Sequence, residues 1–543
     1  MQGENNYWAR RNKIGQFNRR RLLVTGGGLS AGLAAFGLVG CGDDSNDSAK
    51  TTPGGAAQSS PTQGAGQNDP NAKVIAGFTF VHDTMDPHDV TLPPYGIPFR
   101  AMYDGLTYRK PDSSVTGGLA ESWEVVAPDT YVFQLRSNAK FHNGDAFTSE
   151  DVKATFDRII ADGKPFKSTI GTVKLEVVDP THVKMTLAKP DALFPQAVAD
   201  LSILPGRYLE SVGGMSGFVK APVGTGRFKY GEFRGGDLVR VVRVDDGWRD
   251  KPNVAEVTMR VIPDNATRIA ALQSGQIMIA DSLPPESVGQ FDGSKDISIE
   301  AGLLPNILTV DLMDPACSDV RVRRAINLAV DKESMIKKLF AGKGAVVAQG
   351  VGPNAFGYDE SLKPIGYDVA EAKKLLEAAG FADGFTTTMT HSTAIAGEPL
   401  AAEAVVGFLG QVGIKVNLKT IEPTVRLNNF LKGSPEPLFT WAGGYANLMD
   451  AAASLFYYKS NTGYGQVRYK NPAYDTLYDS MRADTDNTSR LAKIKQLDEM
   501  IREDLPVLWE FCPASFTGVS TRIFDLEQRG DGHIEFANMK VKA

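Results

Sequence analysis

The stretch LAESWEVVAPDTYVFQLRSNAKFHNGDAFTSEDV, residues 119–152, decides the fold class of this chain. Within it, Trp123–Val126 and Tyr131–Leu135 alternate apolar and polar residues, which is the pattern of strands buried on one face. The pair at 143–144, Asn-Gly, supplies hairpin-turn chemistry. Thr148 then suits a helix N-cap, and apolar residues follow it at helical spacing. Strands that give way to a helix within one short stretch indicate a mixed α/β chain.

The same alternation of strands and helices continues from about Lys73 to the end of the chain. Val74–Phe80, 414–418 and Pro506–Phe511 have strand patterns, and Leu491–Ile501 has the spacing of a last long helix. Further helix starts are predicted at Asp264 (or Asn265), Asp319, Asp331 and Asp368. A chain of 543 residues is too long for one core, so we expect two or three lobes.

The composition is that of an ordinary globular protein, with 42% apolar and 22% charged residues and a net charge of −6. Residues 1–40 carry six basic side chains and one acid, so their charge of +5 leaves −11 for the remainder. An acidic body without a Lys/Arg-rich stripe argues against nucleic acid as a partner, because phosphate binding needs clustered cations. The three cysteines, Cys41, Cys317 and Cys512, form no CxxC pair, and only the last two could pair if Cys41 is modified.

The N-terminal 40 residues have the pattern of an export signal. A basic segment with twin arginines precedes an apolar, Gly-rich run over 24–40, and it resembles a Tat signal. Leu38–Cys41 resembles the lipobox of bacterial lipoproteins, in which cleavage leaves the cysteine as a lipid-carrying N-terminus. We therefore expect a signal peptide over 1–40, lipid attachment at Cys41 and a flexible, Gly/Ser/Thr-rich linker over 41–71. An uncleaved membrane anchor is the alternative, and either arrangement places the body outside the cytoplasm, tethered to the cell membrane.

Several segments of the body resemble, in order along the chain, the signatures of a single family. They are Leu119–Glu124, Phe141–Asp145, Phe147–Val152, Pro222–Gly226, Asp319–Ala325 and Tyr469–Asp475. Together they are similar to extracytoplasmic solute-binding protein family 5, the peptide/nickel class, over roughly residues 72–525. One departure is Arg227, which replaces the proline of the family's P-V-G-T-G-P-Y signature.

The resemblance implies an α/β, two-lobed periplasmic binding protein type II-like fold with an extra small domain, whose discontinuous lobes are joined by a hinge and close on the ligand. By resemblance, lobe I comprises 72–100, 213–305 and 505–543. Residues 101–212 form the extra domain beside it, and residues 306–504 form lobe II.

The resemblance also places the ligand between the lobes, near the loop after a strand that ends close to Trp441. In the dipeptide-binding members, an Asp three residues after this Trp pairs with the peptide ammonium, whereas this chain has Gly444. Those members also carry an Arg for the peptide carboxylate soon after an earlier strand, whereas Thr390–Ala394 contains none. Burying a charge without a partner is costly, so a free dipeptide held in the usual way is not expected.

The loop offers a different set of groups. Trp441, Tyr445 and Asn447 provide a stacking surface, a hydroxyl and an amide, which suit a neutral, polar or partly apolar ligand. A longer peptide held through its backbone is an alternative, as is anchoring by Asp450 from a shifted loop. Tyr95, in a Pro-rich loop of the facing lobe, is a further candidate. The aromatic side chains could instead simply pack the loop.

The function implied by the resemblance is the substrate-binding component of an ABC importer, which captures an oligopeptide or a peptide-like or neutral polar solute. Its partners would be the permease and ATPase complex and, through the lipid anchor, the membrane. We expect a monomer without cofactor or catalytic residues. An exported sensory or adhesion lipoprotein with the same fold and an exported hydrolase are the competing functions.

Two other patterns are weak evidence for chemistry. The sequence G-x-S-x-G at 28–32 lies in the export signal, whereas that motif functions only at a strand-to-helix turn of a folded sheet. His82, Asp83, Asp86 and His88 could be read as a metal cluster, but their spacing matches no known ligand set, which favours a solvated turn.

Overall fold

The computed structural model describes residues 67–90, 96–304, 306–392, 397–432, 434–444, 448–460 and 469–543. The predicted signal peptide, Cys41 and most of the predicted linker lie outside these residues, as do Tyr95, Tyr445 and Asn447. Trp441 is described by its backbone only.

The described strands are β1 (Lys73–Phe78), β2 (Thr107–Arg109), β3 (Val115–Gly117), β4 (Ala120–Ala127), β5 (Thr130–Leu135), β6 (Val173–Asp179), β7 (His182–Leu187), β8 (Phe228–Arg234), β9 (Leu238–Arg243), β10 (Glu256–Val261), β11 (Ile279–Ala280), β12 (Ile297–Leu303), β13 (Asn306–Leu312), β14 (Gly344–Val346), β15 (Thr386–Ser392), β16 (Lys415–Ile421), β17 (Leu438–Gly444), β18 (Val507–Ser520), β19 (Ile523–Phe524), β20 (Glu527–Gln528), β21 (Ile534–Glu535) and β22 (Lys540–Val541).

The described α-helices are α1 (Ile97–Met102), α2 (Ser149–Ala161), α3 (Lys167–Ile170), α4 (Phe194–Ala197), α5 (Gly206–Ser211), α6 (Met215–Phe218), α7 (Asn265–Gln273), α8 (Val320–Ala329), α9 (Lys332–Leu339), α10 (Val369–Ala378), α11 (Glu398–Gly410), α12 (Pro423–Lys432), α13 (Ala451–Leu455), α14 (Pro472–Arg482) and α15 (Asn487–Asp504). Short 3-10 helices cover Pro87–Asp89, Pro285–Phe291, Pro315–Ser318 and Phe456–Tyr458.

The helix starts predicted from aspartates are confirmed. A carboxylate of the N-cap residue accepts a backbone N–H of the first turn in four of these helices, at Asp264, Asp319, Asp331 and Asp368. The helix after Thr148 also begins as predicted, with the Thr148 N–H donating to Asp151 Oδ2 at 2.9 Å. Because such a cap satisfies a backbone donor that the helix itself leaves open, the starting point is encoded locally.

One large sheet runs through most of the body. Its strand order is β16-β15-β17-β13-β18-β11-β1-β10-β9-β8, and β12 and β14 also pair with β18. We call β1 and β8–β12 the first lobe and β13–β17 the second lobe, with β18 shared between them. A separate four-stranded antiparallel sheet, in the order β4-β5-β7-β6, forms what we call the small domain.

The shared strand is longer than its sequence pattern predicts. The apolar pattern indicates a strand over Pro506–Phe511, but β18 continues to Ser520. A strand is expected to end at Pro513, because proline has no backbone N–H to donate to a neighbouring strand. Here it lies where the strand passes from its pairing with β13 to its pairing with β12, and its carbonyl accepts the N–H of Leu304 at 2.9 Å.

Helices cover both faces of the second lobe. Alternate residues of β13, Leu308 and Val310, pack in one core with Val405 of α11. Ile307, which points to the opposite face, packs in another core with Ala452 of α13. The helix that follows β15 and the helix that follows β17 therefore lie on opposite faces of the sheet.

The two cysteines of the body lie in different cores and form no disulfide bond. Cys317 belongs to the core beneath α11, and Cys512 belongs to the core beneath α13. Burial raises the pKa of the Cys317 thiol to about 12, so this group is unreactive near neutral pH.

Candidate ligand-binding cleft

The carboxyl ends of the parallel strands in the second lobe lie at the crossing between the lobes. β15 is parallel to β16 and to β17, so these three strands end at one edge. β13 runs antiparallel to β17 and begins at this same edge, where Asn306 pairs with Gly444. The strand before it, β12, ends at Leu303 in the first lobe. The edge therefore faces the place where the chain passes from one lobe to the other.

The first lobe presents its own carboxyl edge toward the same crossing. β1 is parallel to β10 and β11, and β11 pairs antiparallel with β18 through Ala280 and Gly518. Just beyond β11, the Leu283 N–H donates to the Phe516 carbonyl at 2.8 Å, so the chain advances along β18 toward the second lobe. Both sets of parallel strands thus point their carboxyl ends at the crossing, which is where ligands bind in open α/β sheets.

A row of backbone positions crosses the second lobe close to this edge. Ser392 of β15 pairs with Ile421 of β16, and Trp441 of β17 pairs with Thr309 of β13. β15 and β17 pair Thr390 with the residue two before Trp441, so Ser392 lies level with Trp441. Neighbouring strands are about 5 Å apart, which places the backbone of Trp441 beside the end of β15.

The crevice between the ends of β15 and β17 is a topological switch point. The helices that follow these strands lie on opposite faces of the sheet, and the chain diverges between them. Such divergence leaves an opening that side chains from both connections can line. The connections themselves, 393–396 and 445–447, lie outside the described residues and include Tyr445 and Asn447.

An ion pair spans the edge beside this crevice. Glu398, at the start of α11, is completely buried, and one of its carboxylate oxygens, Oε1, accepts the N–H of Ser392 at 3.0 Å. Arg426, in the first turn of α12, approaches the same oxygen with its Nε at 3.6 Å. Burial raises the pKa of Glu398, and the positive charge of Arg426 acts in the opposite direction. The pair places a guanidinium on the carboxyl edge of the sheet.

Asp450 is engaged inside the second lobe. The Arg490 Nη1 donates to both of its carboxylate oxygens, at 3.0 and 2.8 Å, and each side chain is only 2% exposed. One of these oxygens also accepts the Ala452 N–H at 2.9 Å, which caps α13. Burial raises the pKa of Asp450, and Arg490 lowers it. The described geometry thus gives Asp450 the role of fixing the backbone that follows the predicted ligand loop.

On the first lobe, the segment after β1 contributes Phe80, which is 47% exposed. Its ring contacts that of His82 at a centroid distance of 5.4 Å. The residues next along the chain are used within the protein: Asp86 forms ion pairs with Arg158 and Lys164. Tyr95, the predicted ligand contact from this lobe, lies outside the described residues.

The solvated turn that the sequence favours for this segment is wrong for Asp86 and His88, because both side chains are buried. His88 is buried, its Nε2 lies 2.8 Å from the Ser202 carbonyl, and burial lowers its pKa to about 4. In the part of the chain that the structure describes, no group of three or more His, Cys, Asp or Glu side chains is arranged to hold a metal ion.

A separate cavity between the first lobe and the small domain is too small for a solute. Its volume is about 30 Å³, room for about two water molecules. Its charged lining residues are Arg100, Asp104, Asp200, Arg227, Arg249, Arg529 and Glu535. Ion pairs join several of them, including Arg249 with Asp104 at 2.6 Å and Arg100 with Asp200 at 2.8 Å. This cluster ties two parts of the body together and lies apart from the carboxyl edges.

Phe80, Glu398 and Arg426 lie at the candidate cleft but were not among the site residues predicted from the sequence. A usable signal existed for Arg426, because a strand is predicted over 414–418 and a charged residue soon after a strand that ends at a carboxyl edge is placed to face a cleft. Glu398 directly precedes Pro399, which indicates a helix start, but its contact with Arg426 joins two helices on different connections.

A model of the bacterial extracellular solute-binding proteins, family 5 middle region, matches residues 114–466. The glutathione-binding protein GsiB of Salmonella paratyphi A (strain ATCC 9150 / SARB42) is 29% identical over 458 residues, which cover 80% of this chain and 87% of that protein. GsiB of Escherichia coli O6:K15:H31 is 31% identical over 369 residues, covering 65% of this chain and 70% of that protein.

Solved structures show the same fold at lower identity. NikA from Brucella suis in complex with Fe(III)-EDTA superposes with a TM-score of 0.78 at 24% identity, covering 87% of this chain and 100% of that one. The periplasmic binding protein DppA from Helicobacter pylori, in complex with the peptide STSA, gives a TM-score of 0.72 at 24% identity, covering 87% and 98%. These likenesses confirm the predicted two-lobed α/β fold class. None of the helices within the described ranges is long and apolar enough to cross a bilayer.

Proposed function

The chain belongs to the bacterial extracellular solute-binding proteins of family 5, and from this premise we propose that it captures a peptide or peptide-like solute between its two lobes and delivers it to a membrane permease. Its relatives are solute-binding proteins of ABC importers and not enzymes, and they function outside the cytoplasm. The proposal includes the lobe boundaries implied by the family resemblance, lipid attachment at Cys41 and a monomeric state.

The observation that carries the proposal is the opposition of two carboxyl edges across a shared strand. The ends of β15 and β17 in the second lobe and the end of β1 in the first lobe point at one crossing. A solute between them would contact both lobes at once. It would stabilise the arrangement in which both sets of contacts form, and that arrangement is what a permease can distinguish from the empty protein.

We propose Trp441, Tyr445 and Asn447 as the ligand contacts from the second lobe and Tyr95 as a contact from the first. The backbone of Trp441 at the switch point supports its assignment. Gly444 stands where the dipeptide-binding members have the Asp for the peptide ammonium, and the segment 390–394 contains no Arg for the peptide carboxylate. We therefore propose a longer or blocked peptide, or a peptide-like compound. The matched relatives named for glutathione support the peptide-like class.

A thermal-shift panel tests this function on the purified protein. The panel contains di- to pentapeptides, N-acetylated peptides, glutathione, oligosaccharides, and nickel with and without chelators. A ligand at a hundred times its Kd adds about 2.7 kcal/mol of stability, which is readily visible. We expect the largest shift from N-acetylated or longer peptides or from glutathione. If no peptide or glutathione shifts the melt while another solute does, the proposed ligand class is wrong.

Two variants separate binding in the cleft from general effects. Trp441→Ala removes a proposed contact and should abolish most of the shift. Val178→Ala truncates a side chain that is exposed on β6 of the small domain, and it should leave the shift unchanged. An unchanged shift in Trp441→Ala would remove this residue from the site.

A further inference from the structure

Arg426 has more hydrogen-bond donors than the described residues use. A guanidinium carries five N–H donors, yet within the described residues this one has a single charge partner, Glu398, at 3.6 Å. Its Nε forms no hydrogen bond there, and neither does the buried Oε2 of Glu398. The terminal Nη nitrogens of Arg426 likewise donate to none of the described residues, which leaves them available to a ligand.

The position of the pair explains why the donors remain open. Glu398 is fully buried and is fixed to the end of β15 by the Ser392 N–H, whereas the Arg426 side chain is 17% exposed. The carboxylate thus lies on the inner side of the pair, and the guanidinium lies on the side toward solvent. Because α12 begins directly after the carboxyl end of β16, that side belongs to the edge that faces the crossing between the lobes.

Two apolar side chains are exposed in the first turns of the helices that carry this ion pair. Leu400, in the first turn of α11, is 47% exposed, and Val425, next to Arg426 in α12, is 43% exposed. They leave some apolar area at this edge in addition to the charged group.

We propose that Arg426 binds a carboxylate of the transported ligand and that Glu398 positions the guanidinium for it. The planar fork of arginine can direct its terminal nitrogens at both oxygens of a second carboxylate while Nε stays toward Glu398. Glu398 is thus a positioning residue, and Arg426 contacts the ligand.

This inference rests on the proposed function and narrows it. The ligand is an anion with a free carboxylate, such as a peptide with an open C-terminus, rather than a neutral solute. Arg426, on the connection after β16, supplies the charge that the segment 390–394 lacks. No matching acid is implied for the ammonium, so an N-acetylated peptide acid should bind as well as a free one.

Calorimetric titration with N-acetyl-trialanine and with its C-terminal amide tests the proposal. These probes share the blocked N-terminus and differ only in the carboxylate. For the unmodified protein, the acid should bind about 10- to 100-fold more tightly than the amide, which is the range of a charge-assisted hydrogen-bonded pair. In Arg426→Gln the affinity for the acid should fall to that for the amide. The affinity for the amide should stay within about threefold of its value in the unmodified protein.

Arg426→Gln leaves Glu398 buried without its partner, so the double variant Arg426→Gln/Glu398→Gln provides a second measurement. It removes both charges, should retain the fold, and should likewise bind the acid and the amide equally. Lys374→Gln, which removes a charge from an exposed ion pair with Glu371 in the same lobe, should keep the full preference for the acid.

The outcomes separate the two proposals. If the unmodified protein binds the acid and the amide equally, the role proposed for Arg426 is wrong. The proposed function would survive that result, because a peptide would still bind. A preference for the acid that survives in both Arg426 variants would overturn the role of Arg426 as well. If the unmodified protein binds neither probe, nor any other peptide, the proposed function and this inference are both wrong.

Discussion

Replacing Arg490 by methionine should destabilise the second lobe strongly while changing its packing little. Arg490 is almost fully buried, donates to both oxygens of Asp450 and lies over the ring of Phe356, with its guanidinium carbon 4.2 Å from the ring centroid. Methionine fills a similar volume and keeps an apolar contact with the ring. The loss is therefore mainly that of a charge, and among the described hydrogen-bond donors Asp450 keeps the Ala452 N–H alone.

The expected magnitude follows from the burial of the pair. Removing one partner of a buried ion pair costs about 3–5 kcal/mol, because the remaining charge is shielded from water and has lost its directly bonded counter-ion. Asp450→Asn in the same chain removes that charge and keeps a capping side chain for α13. The double variant should therefore recover most of the stability that Arg490→Met loses.

The loss should also depend on pH in a defined direction. Burial raises the pKa of Asp450 in the folded protein, and Arg490 opposes this rise. Without Arg490, the folded-state pKa lies further above the unfolded value of about 4. The folded state then holds the proton more tightly than the unfolded state, so stability falls as pH rises above about 4. The deficit of Arg490→Met should be smaller at pH 4.5 than at pH 7.5.

Urea unfolding followed by circular dichroism at these two pH values measures the effect. Lys374→Met, which breaks an exposed pair with Glu371, is the matched control and should change the free energy of unfolding by less than about 0.5 kcal/mol. A deficit in Arg490→Met as small as that of the control, or a deficit that does not shrink at low pH, would refute the assignment of an uncompensated buried charge.

Three further predictions concern other parts of the body. Burial raises the pKa of Asp498 to about 7, so ionising this carboxyl destabilises the folded protein as the pH rises from 4 to 7. Asp498→Asn should therefore have the same free energy of unfolding as the parent protein near pH 4 and a higher one at pH 8, by about 4 kcal/mol at most, as measured by urea unfolding at both pH values. Arg482→Met, which breaks the ion pair to Asp191 of the small domain, should cost about 1 kcal/mol at low salt and less in 1 M NaCl. Equal costs at both salt concentrations would contradict an electrostatic contribution. Asp151→Ala removes the acceptor of three hydrogen bonds and should cost about 2–3 kcal/mol in thermal or urea unfolding, whereas Glu150→Ala, its exposed neighbour, should cost far less.

Local features of the fold were predictable because their causes are local. An aspartate before an apolar helical run satisfies a backbone donor whatever surrounds it, and the starts at Asp264 and Asp368 follow from this. The extent of β18 was not predictable in the same way. Pro513 indicates the end of a strand, and only the change of partner strands around it makes proline acceptable there.

In the candidate site, too, contacts between distant parts of the chain were the part that could not be predicted. Trp441 was placed near a strand end by the family resemblance, and its backbone lies within β17, three residues before the strand ends. The pairing of Glu398 with Arg426 was not accessible, since it depends on two connections that leave adjacent strands and meet only at the sheet edge. Similarly, nothing in the sequence near Asp450 indicates a partner 40 residues away at Arg490.

If the proposed function holds, the distribution of ligand contacts between the lobes would determine which residues set affinity and which set closure. A ligand favours the closed arrangement only by the difference between its binding free energies in the closed and open arrangements. Arg426 belongs to the second lobe alone, so the carboxylate contact assigned to it would form in both arrangements and would add affinity without favouring closure. Groups on the first lobe, such as the exposed ring of Phe80, would reach a solute held by the second lobe only when the lobes approach. Anchoring and closure would then depend on opposite edges of the cleft, and a solute that satisfies Arg426 but offers nothing to the first lobe would bind without being presented for transport.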